Sequence, residues 1–226
     1  MTRTTNARIA GVAFLAYIAV GISDMVLSGR AKSGEGIAAK LASIAQHATD
    51  MRISVLFGLL TCFFALVLAV TLWAITRDQD PDVAMLGLTC RVGEGLIGGA
   101  SIKGSLGLLW LATASGAHAP DPDAARTLGT FLLWGQGGGI SAIFFAVGST
   151  CFSWLLLRGR MIPAALAWLG VIASVLLVVA LPLDLVDFLP GTIVDYLWIP
   201  MAAFEIPLAL WFLIKGVDPP ARTLPA

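Results

Sequence analysis

The sequence has 226 residues, and its 14 Lys and Arg side chains equal its 14 Asp and Glu side chains. Charged residues make up 12% of the chain, whereas soluble domains carry about twice that fraction. The lack of net positive charge excludes the electrostatic footprint of a nucleic-acid-binding protein. With 58% hydrophobic residues and a mean hydropathy of +0.89, the composition indicates an integral membrane protein.

Apolar runs of about twenty residues, enough to cross a bilayer core as a helix, predict six transmembrane helices. The predicted spans are residues 9–27, 52–76, 85–113, 125–157, 163–182 and 193–214. Since these spans use nearly the whole chain, we predict a single transmembrane domain over residues 1–226. The predicted fold class is an all-α, polytopic membrane helix bundle.

Local signals mark where several helices begin. Asp80 and Asp121 each precede a proline, which is typical of a capping residue before a first helical turn. Pro163 is predicted to open the fifth span, and Thr192 to cap the sixth.

The longest loop, residues 28–50, contains Ile37, Leu41 and Ile44 at helical spacing. We expect a surface helix over residues 36–48. A mobile lid over an outward-facing cavity is the alternative.

Tryptophan–base pairs predict the orientation in the membrane. A Trp lies four residues before a base at the ends of the second, fourth and sixth spans, in the pairs Trp73/Arg77, Trp154/Arg158 and Trp211/Lys215. An interfacial ring one turn inside a cation is an anchor, and cations collect on the cytoplasmic side. We therefore predict that both termini are cytoplasmic. The first apolar run is interpreted as a retained span rather than a signal peptide.

Cysteines and histidines give no indication of a metal or haem site. Cys62, Cys90 and Cys151 lie far apart in predicted spans and are interpreted as free thiols, and the two histidines lie in predicted loops. We predict no metal and no cofactor.

Three charged residues within the predicted spans are the candidate catalytic group. Arg91 and Glu94 lie three residues apart and so share one helix face. Glu205 lies near the middle of the sixth span, between Pro200 and Pro207. A structural ion pair is one interpretation. The other is a buried acid beside a cation, which serves proton transfer or binds an anionic head group.

Further polar residues are candidate ligand-binding positions. Gln136 precedes three glycines, which predict either tight helix packing or an unwound stretch that faces a ligand. Asp24, Asp184 and Asp187 lie at the predicted outer rim, where Lys103 would find acidic partners. A solvated rim is the alternative for these residues.

Several short motifs resemble a known bacterial family. They are Arg8-Ile9-Ala10-Gly11, Arg91-x-x-Glu94, the stretch from Arg158 to Pro163 with Leu169-Gly170, and Glu205 with the stretch from Leu210 to Gly216. They resemble the domain-of-unknown-function family numbered four-three-eight-six, a group of multi-pass bacterial membrane proteins. The resemblance implies a location in the bacterial inner membrane and marks Arg91, Glu94 and Glu205 as family positions. It implies no activity.

The leading functional hypothesis is an inter-helix cavity that holds a lipophilic small molecule. One version is an enzyme that uses Glu205 or Glu94 as a general acid to isomerise or cyclise an isoprenoid-like substrate. The alternatives are a proton-coupled carrier and a non-catalytic sensor or assembly subunit. The expected partners are the lipid bilayer and such a ligand, with no nucleic acid, and the sequence leaves the oligomeric state open.

The tryptophan–base pairs lead to a topology prediction. A reporter enzyme fused after Ala226 should be active in the cytoplasm, and one inserted in the loop of residues 28–50 should be active outside. The opposite pattern would contradict the orientation.

Overall fold

The computed structural model describes residues 1–116, 119–134 and 139–217. Within these ranges the chain forms eight α-helices and no β-strand, which confirms the predicted all-α class. The helices are α1 (Arg3–Ala31), α2 (Gly36–Gln46), α3 (Ala48–Thr76), α4 (Pro81–Thr113), α5 (Pro122–Trp134), α6 (Gly139–Arg158), α7 (Ala164–Leu185) and α8 (Gly191–Ile214).

Six helical stretches are long and apolar enough to cross a membrane, which confirms the number of predicted spans. Five of them are α1, α3, α4, α7 and α8. The remaining stretch, Pro122–Arg158, contains α5 and α6 and corresponds to the predicted fourth span. The chain is therefore a multi-pass membrane protein.

Capping contacts explain two of the helix starts. The Val83 amide donates to Asp80 Oδ1 at 3.2 Å, and the Asp123 and Ala124 amides donate to Asp121 Oδ1 at 3.0 Å, as predicted. The Thr192 prediction is wrong. The N-cap of α8 is Pro190, two residues earlier, and the helix begins at Gly191, so Thr192 already lies inside it.

The chain divides into two compact units. Unit 1 comprises residues 1–16, 63–95 and 139–226, and unit 2 comprises residues 17–62 and 96–138. The single domain over residues 1–226 stays a prediction.

In unit 2, the predicted surface helix is present as α2 and packs against α5. A Cβ atom on Gly129 of α5 would lie 2.8 Å from Ile37 Cδ1, so the two helices touch at that glycine. Ile44 is fully buried and joins a core with Met51 and Leu108. The apolar face of α2 is thus packed inside unit 2, and a lid role for this helix stays a prediction.

In unit 1, α7 packs extensively against both α6 and α8. At Gly170 of α7, a Cβ atom would lie 2.5 Å from the Phe204 ring of α8 and 2.8 Å from Ser153 Oγ of α6. Small residues at helix interfaces allow this close approach, which contributes dispersion energy where lipid gives no hydrophobic driving force.

This close packing predicts that Gly170→Ala destabilises the protein by about 1–3 kcal/mol, since the added methyl group overpacks the contact. Gly21→Ala is the matched control, because nothing lies within 4 Å of a Cβ at that position. Thermal unfolding in detergent would measure both variants. Equal melting temperatures of the Gly170→Ala and Gly21→Ala variants would contradict the prediction, because they would show that the helices adjust to the methyl group at position 170.

Candidate functional site

The predicted Arg91–Glu94 ion pair is present on α4, in unit 1. Arg91 Nη1 lies 2.9 Å from Glu94 Oε2, and the two side chains expose only 1% and 6% of their surface. A spacing of three residues places both groups on one helix face. The pair is therefore set by local sequence and buried by tertiary packing.

Helix α6 supplies the surroundings of this ion pair. The Arg91 stem passes over Gly148, where a Cβ atom would lie 2.9 Å from Arg91 Cγ. The guanidinium carbon lies 4.8 Å from the centre of the Phe145 ring, a cation–π distance. Ser141 Oγ donates to the Glu94 backbone carbonyl at 3.0 Å. The sequence analysis did not identify any of these three supporting residues.

Glu205 enters the same electrostatic environment from α8. Its side chain is buried, attracted by Arg91 and repelled by Glu94. One guanidinium therefore acts on two carboxyl groups in an apolar interior. We refer to Arg91, Glu94 and Glu205 as the buried charge cluster.

The space beside Glu205 is small. It measures about 10 Å³ and is bordered by apolar side chains and by Ser149 and Ser153 of α6. A space of about 10–15 Å³ is the lower limit for a single water molecule. An isoprenoid-like substrate therefore has no room there in this conformation, whereas a proton carried by one water molecule does. The role of Glu205 or Glu94 as a general acid stays a prediction.

A much larger cavity lies in unit 2, among α1, α3 and α4. Its volume is about 360 Å³, within the lower part of the range of small-molecule sites. We call it the unit 2 cavity. Its polar lining residues are Asp24, Ser28, Lys32, Ser54, Ser101 and Ser105, and the others are Met25, Val55, Gly58, Gly98 and Ile102.

Two opposite charges line this cavity. Ser54 Oγ donates a hydrogen bond to Asp24 Oδ1, which orients the carboxylate. Lys32 follows the last residue of α1, beyond the membrane-spanning segment. Burial lowers the pKa of the Lys32 ammonium, and attraction to Asp24 opposes this shift because it favours the charged form.

Of the predicted ligand-binding residues, Asp24 lies in the cavity lining and Lys103 does not. Lys103 is exposed on α4, and within the described ranges it forms no ion pair with the predicted acidic partners. Asp184 lies in the last turn of α7 and Asp187 lies two residues beyond the end of this helix, where its amide donates to the Asp184 carbonyl at 3.0 Å. Gln136 lies outside the described residues.

The sequence analysis missed Lys32 as a candidate site residue. A signal for it was present, because Asp24, Ser28 and Lys32 recur every four residues, and the Lys32 amide, just past the end of α1, still donates to the Ser28 carbonyl at 2.9 Å. Cys62, Cys90 and Cys151, all within the described residues, form no disulfide, in agreement with the prediction.

Comparison with known protein families identifies the family of this chain. The family model of a domain of unknown function, DUF4386, matches residues 9–216. The chain belongs to this family. The match confirms the resemblance seen in the short motifs, and the DUF4386 region includes both the buried charge cluster and the whole lining of the unit 2 cavity. No curated protein and no solved structure matches the chain.

In this DUF4386 protein, we predict that Arg91→Ala lowers stability more than Glu94→Gln or Glu205→Gln does. Loss of the guanidinium leaves two buried carboxyls without their cation, and removal of one partner from a buried pair costs about 3–5 kcal/mol. A glutamine keeps a hydrogen-bonding group in place, and interhelical polar pairs in membranes average about 0.6 kcal/mol.

Thermal melts of the three variants in detergent would test this order, with Arg91→Lys as the control that keeps the charge. Equal and small losses in all three would mean that the cluster contributes little to the fold.

Proposed function

We propose that this protein binds a small amphiphilic molecule with a charged head group in the unit 2 cavity. The observation that carries the proposal is the cavity itself. It has about 360 Å³ of space among spanning helices, with a carboxylate and an ammonium in its lining. Polar groups are costly within a membrane, and those that border a cavity typically mark a ligand pathway or binding site.

The chemistry of the lining supports a ligand with both polar and apolar parts. The carboxylate of Asp24 is suited to a cationic group and the ammonium of Lys32 to an anionic one. Met25, Val55 and Ile102 provide apolar surface for the remainder of the molecule. A zwitterionic amphiphile uses all three features at once.

Serine hydroxyls complete the set of polar contacts. Ser101 Oγ already donates to the Ile97 carbonyl at 3.0 Å, which leaves its oxygen able to accept from a ligand. A few placed polar groups in a mainly apolar wall are typical of small-molecule sites, since they fix orientation and give specificity.

The proposed function is ligand binding, and this binding serves either transport or sensing. The space beside Glu205 is too small for a lipophilic substrate, so the unit 2 cavity is the better candidate for a ligand site. The buried charge cluster, with two carboxyls and one guanidinium, suits a proton-coupled carrier.

Three probes that each have an apolar part and that differ in charge would test the proposal: octylamine as the cation, octanoate as the anion and leucine as the zwitterion. We expect saturable binding of leucine to the purified protein in a scintillation-proximity assay. Asp24→Asn should weaken octylamine and leucine binding about tenfold, and Lys32→Gln should weaken octanoate and leucine binding similarly, since a hydrogen bond to a charged group contributes about 1.5–3 kcal/mol.

Asp184→Asn and Lys103→Gln are the matched controls, because both residues lie outside the cavity lining. Binding that is unchanged in the Asp24 and Lys32 variants, or no saturable binding of any probe, would contradict the proposal. Uptake of a bound probe into proteoliposomes would then distinguish a carrier from a sensor.

A further inference from the structure

A second hollow lies in unit 1, along the outer sides of α1 and α3. It has a volume of about 340 Å³, and apart from one arginine its lining is apolar. We call it the α1–α3 groove. Its lining residues are Arg8, Ile9, Val12 and Ala13 of α1, and Phe64 and Val67 of α3.

The groove opens on the outside of the two helices. Val12 is 58% exposed and Val67 is 38% exposed, whereas Ala13, at 2%, lies at the bottom of the groove. Because both helices are long and apolar enough to span a membrane, an exposed apolar face on them contacts lipid tails. The molecules that reach this groove are therefore lipids.

Arg8 lies at the same depth in unit 1 as the C-terminal end of α8. On one side of it along α1, Thr4 is close to Gly216, and on the other side Gly11 is close to Leu213. Arg8 is therefore level with the last turn of α8, which carries one of the tryptophan–base anchors. Such anchors mark the depth of the membrane–water interface, where lipid head groups are found.

The charge of Arg8 is available for a ligand. Other cations at the same end have acidic partners: Arg3 pairs with Asp78, and Arg158 Nη1 lies 3.0 Å from Asp80 Oδ2. Within the described ranges, Arg8 forms no ion pair with Asp or Glu, and its side chain is exposed. A guanidinium binds phosphate oxygens through paired hydrogen bonds, so a phosphate is its natural partner here.

We propose that the α1–α3 groove is a binding site for an anionic phospholipid. One acyl chain lies in the groove against Ala13 and Phe64, and the phosphate binds to Arg8. A net negative lipid is favoured over a zwitterionic one, because the latter brings its own ammonium and gains less from a cationic surface. This proposal does not depend on ligand binding in the unit 2 cavity.

Titration of the purified full chain in detergent with phosphatidylglycerol or phosphatidylcholine of the same acyl chains would test the site. The rise in melting temperature reports binding, because a ligand that binds the folded state stabilises it. We expect phosphatidylglycerol to act at a lower concentration than phosphatidylcholine. Arg8→Gln should raise the phosphatidylglycerol midpoint about tenfold and abolish this preference.

Arg30→Gln is the matched control, since Arg30 is exposed on the same helix and lies outside the groove. Arg8→Lys should keep the preference, which separates loss of charge from a folding defect. Val12→Phe fills part of the groove and should weaken the binding of both lipids by a similar factor. Val70 is an exposed residue of α3 outside the groove, so Val70→Phe should leave the binding of both lipids unchanged.

Three outcomes would overturn the proposal. In the first, the wild type has the same titration midpoint for phosphatidylglycerol and phosphatidylcholine. In the second, the Arg8→Gln variant still prefers phosphatidylglycerol. In the third, the Val12→Phe and Val70→Phe variants have the same midpoint for each lipid.

Discussion

The burial of charge in an apolar interior is the constraint on which unit 1 depends. Arg91 exposes almost none of its surface, and an unpaired charge there would cost several kcal/mol. Glu94 supplies the counter-charge from the same helix, and Glu205 adds a second carboxyl from α8. The close approach of α6 at Gly148 completes the enclosure, because a larger residue would collide with the Arg91 stem. Arg91 of α4 thus packs against α6 and acts electrostatically on Glu205 of α8, and the helix packing of unit 1 has to accommodate this cation.

Polar groups in unit 2 are arranged in a different way. Asp24 and Lys32 border an open space of about 360 Å³ instead of being enclosed by side chains. Ser54 holds the Asp24 carboxylate in place. A charge enclosed by protein serves mainly the fold, whereas a charge beside an open cavity is placed to meet a ligand. For this reason our functional proposal rests on the unit 2 cavity and not on the buried charge cluster.

Local rules accounted for much of the architecture. Six spans followed from apolar runs of sufficient length, since every backbone polar group must be satisfied within the membrane and a helix does this by itself. The Arg91–Glu94 pair followed from a spacing of three residues, and the caps at Asp80 and Asp121 followed from side chains that reach amides two or three residues ahead. Thr192 was a wrong prediction because a threonine near a helix start is compatible with more than one first residue, and Pro190 took the cap position.

The sequence by itself thus determined the membrane class, the number of spans, the local ion pair and the family. Tertiary structure alone decided that Glu205 of α8 is buried within the electrostatic influence of Arg91, that α2 packs onto α5, and that Lys32 lines a cavity while Lys103 does not. The physical reason is the distance along the chain over which each kind of signal acts. Hydropathy and helical spacing act within one helix, whereas a cavity exists only where the side chains of several helices fail to fill the space between them.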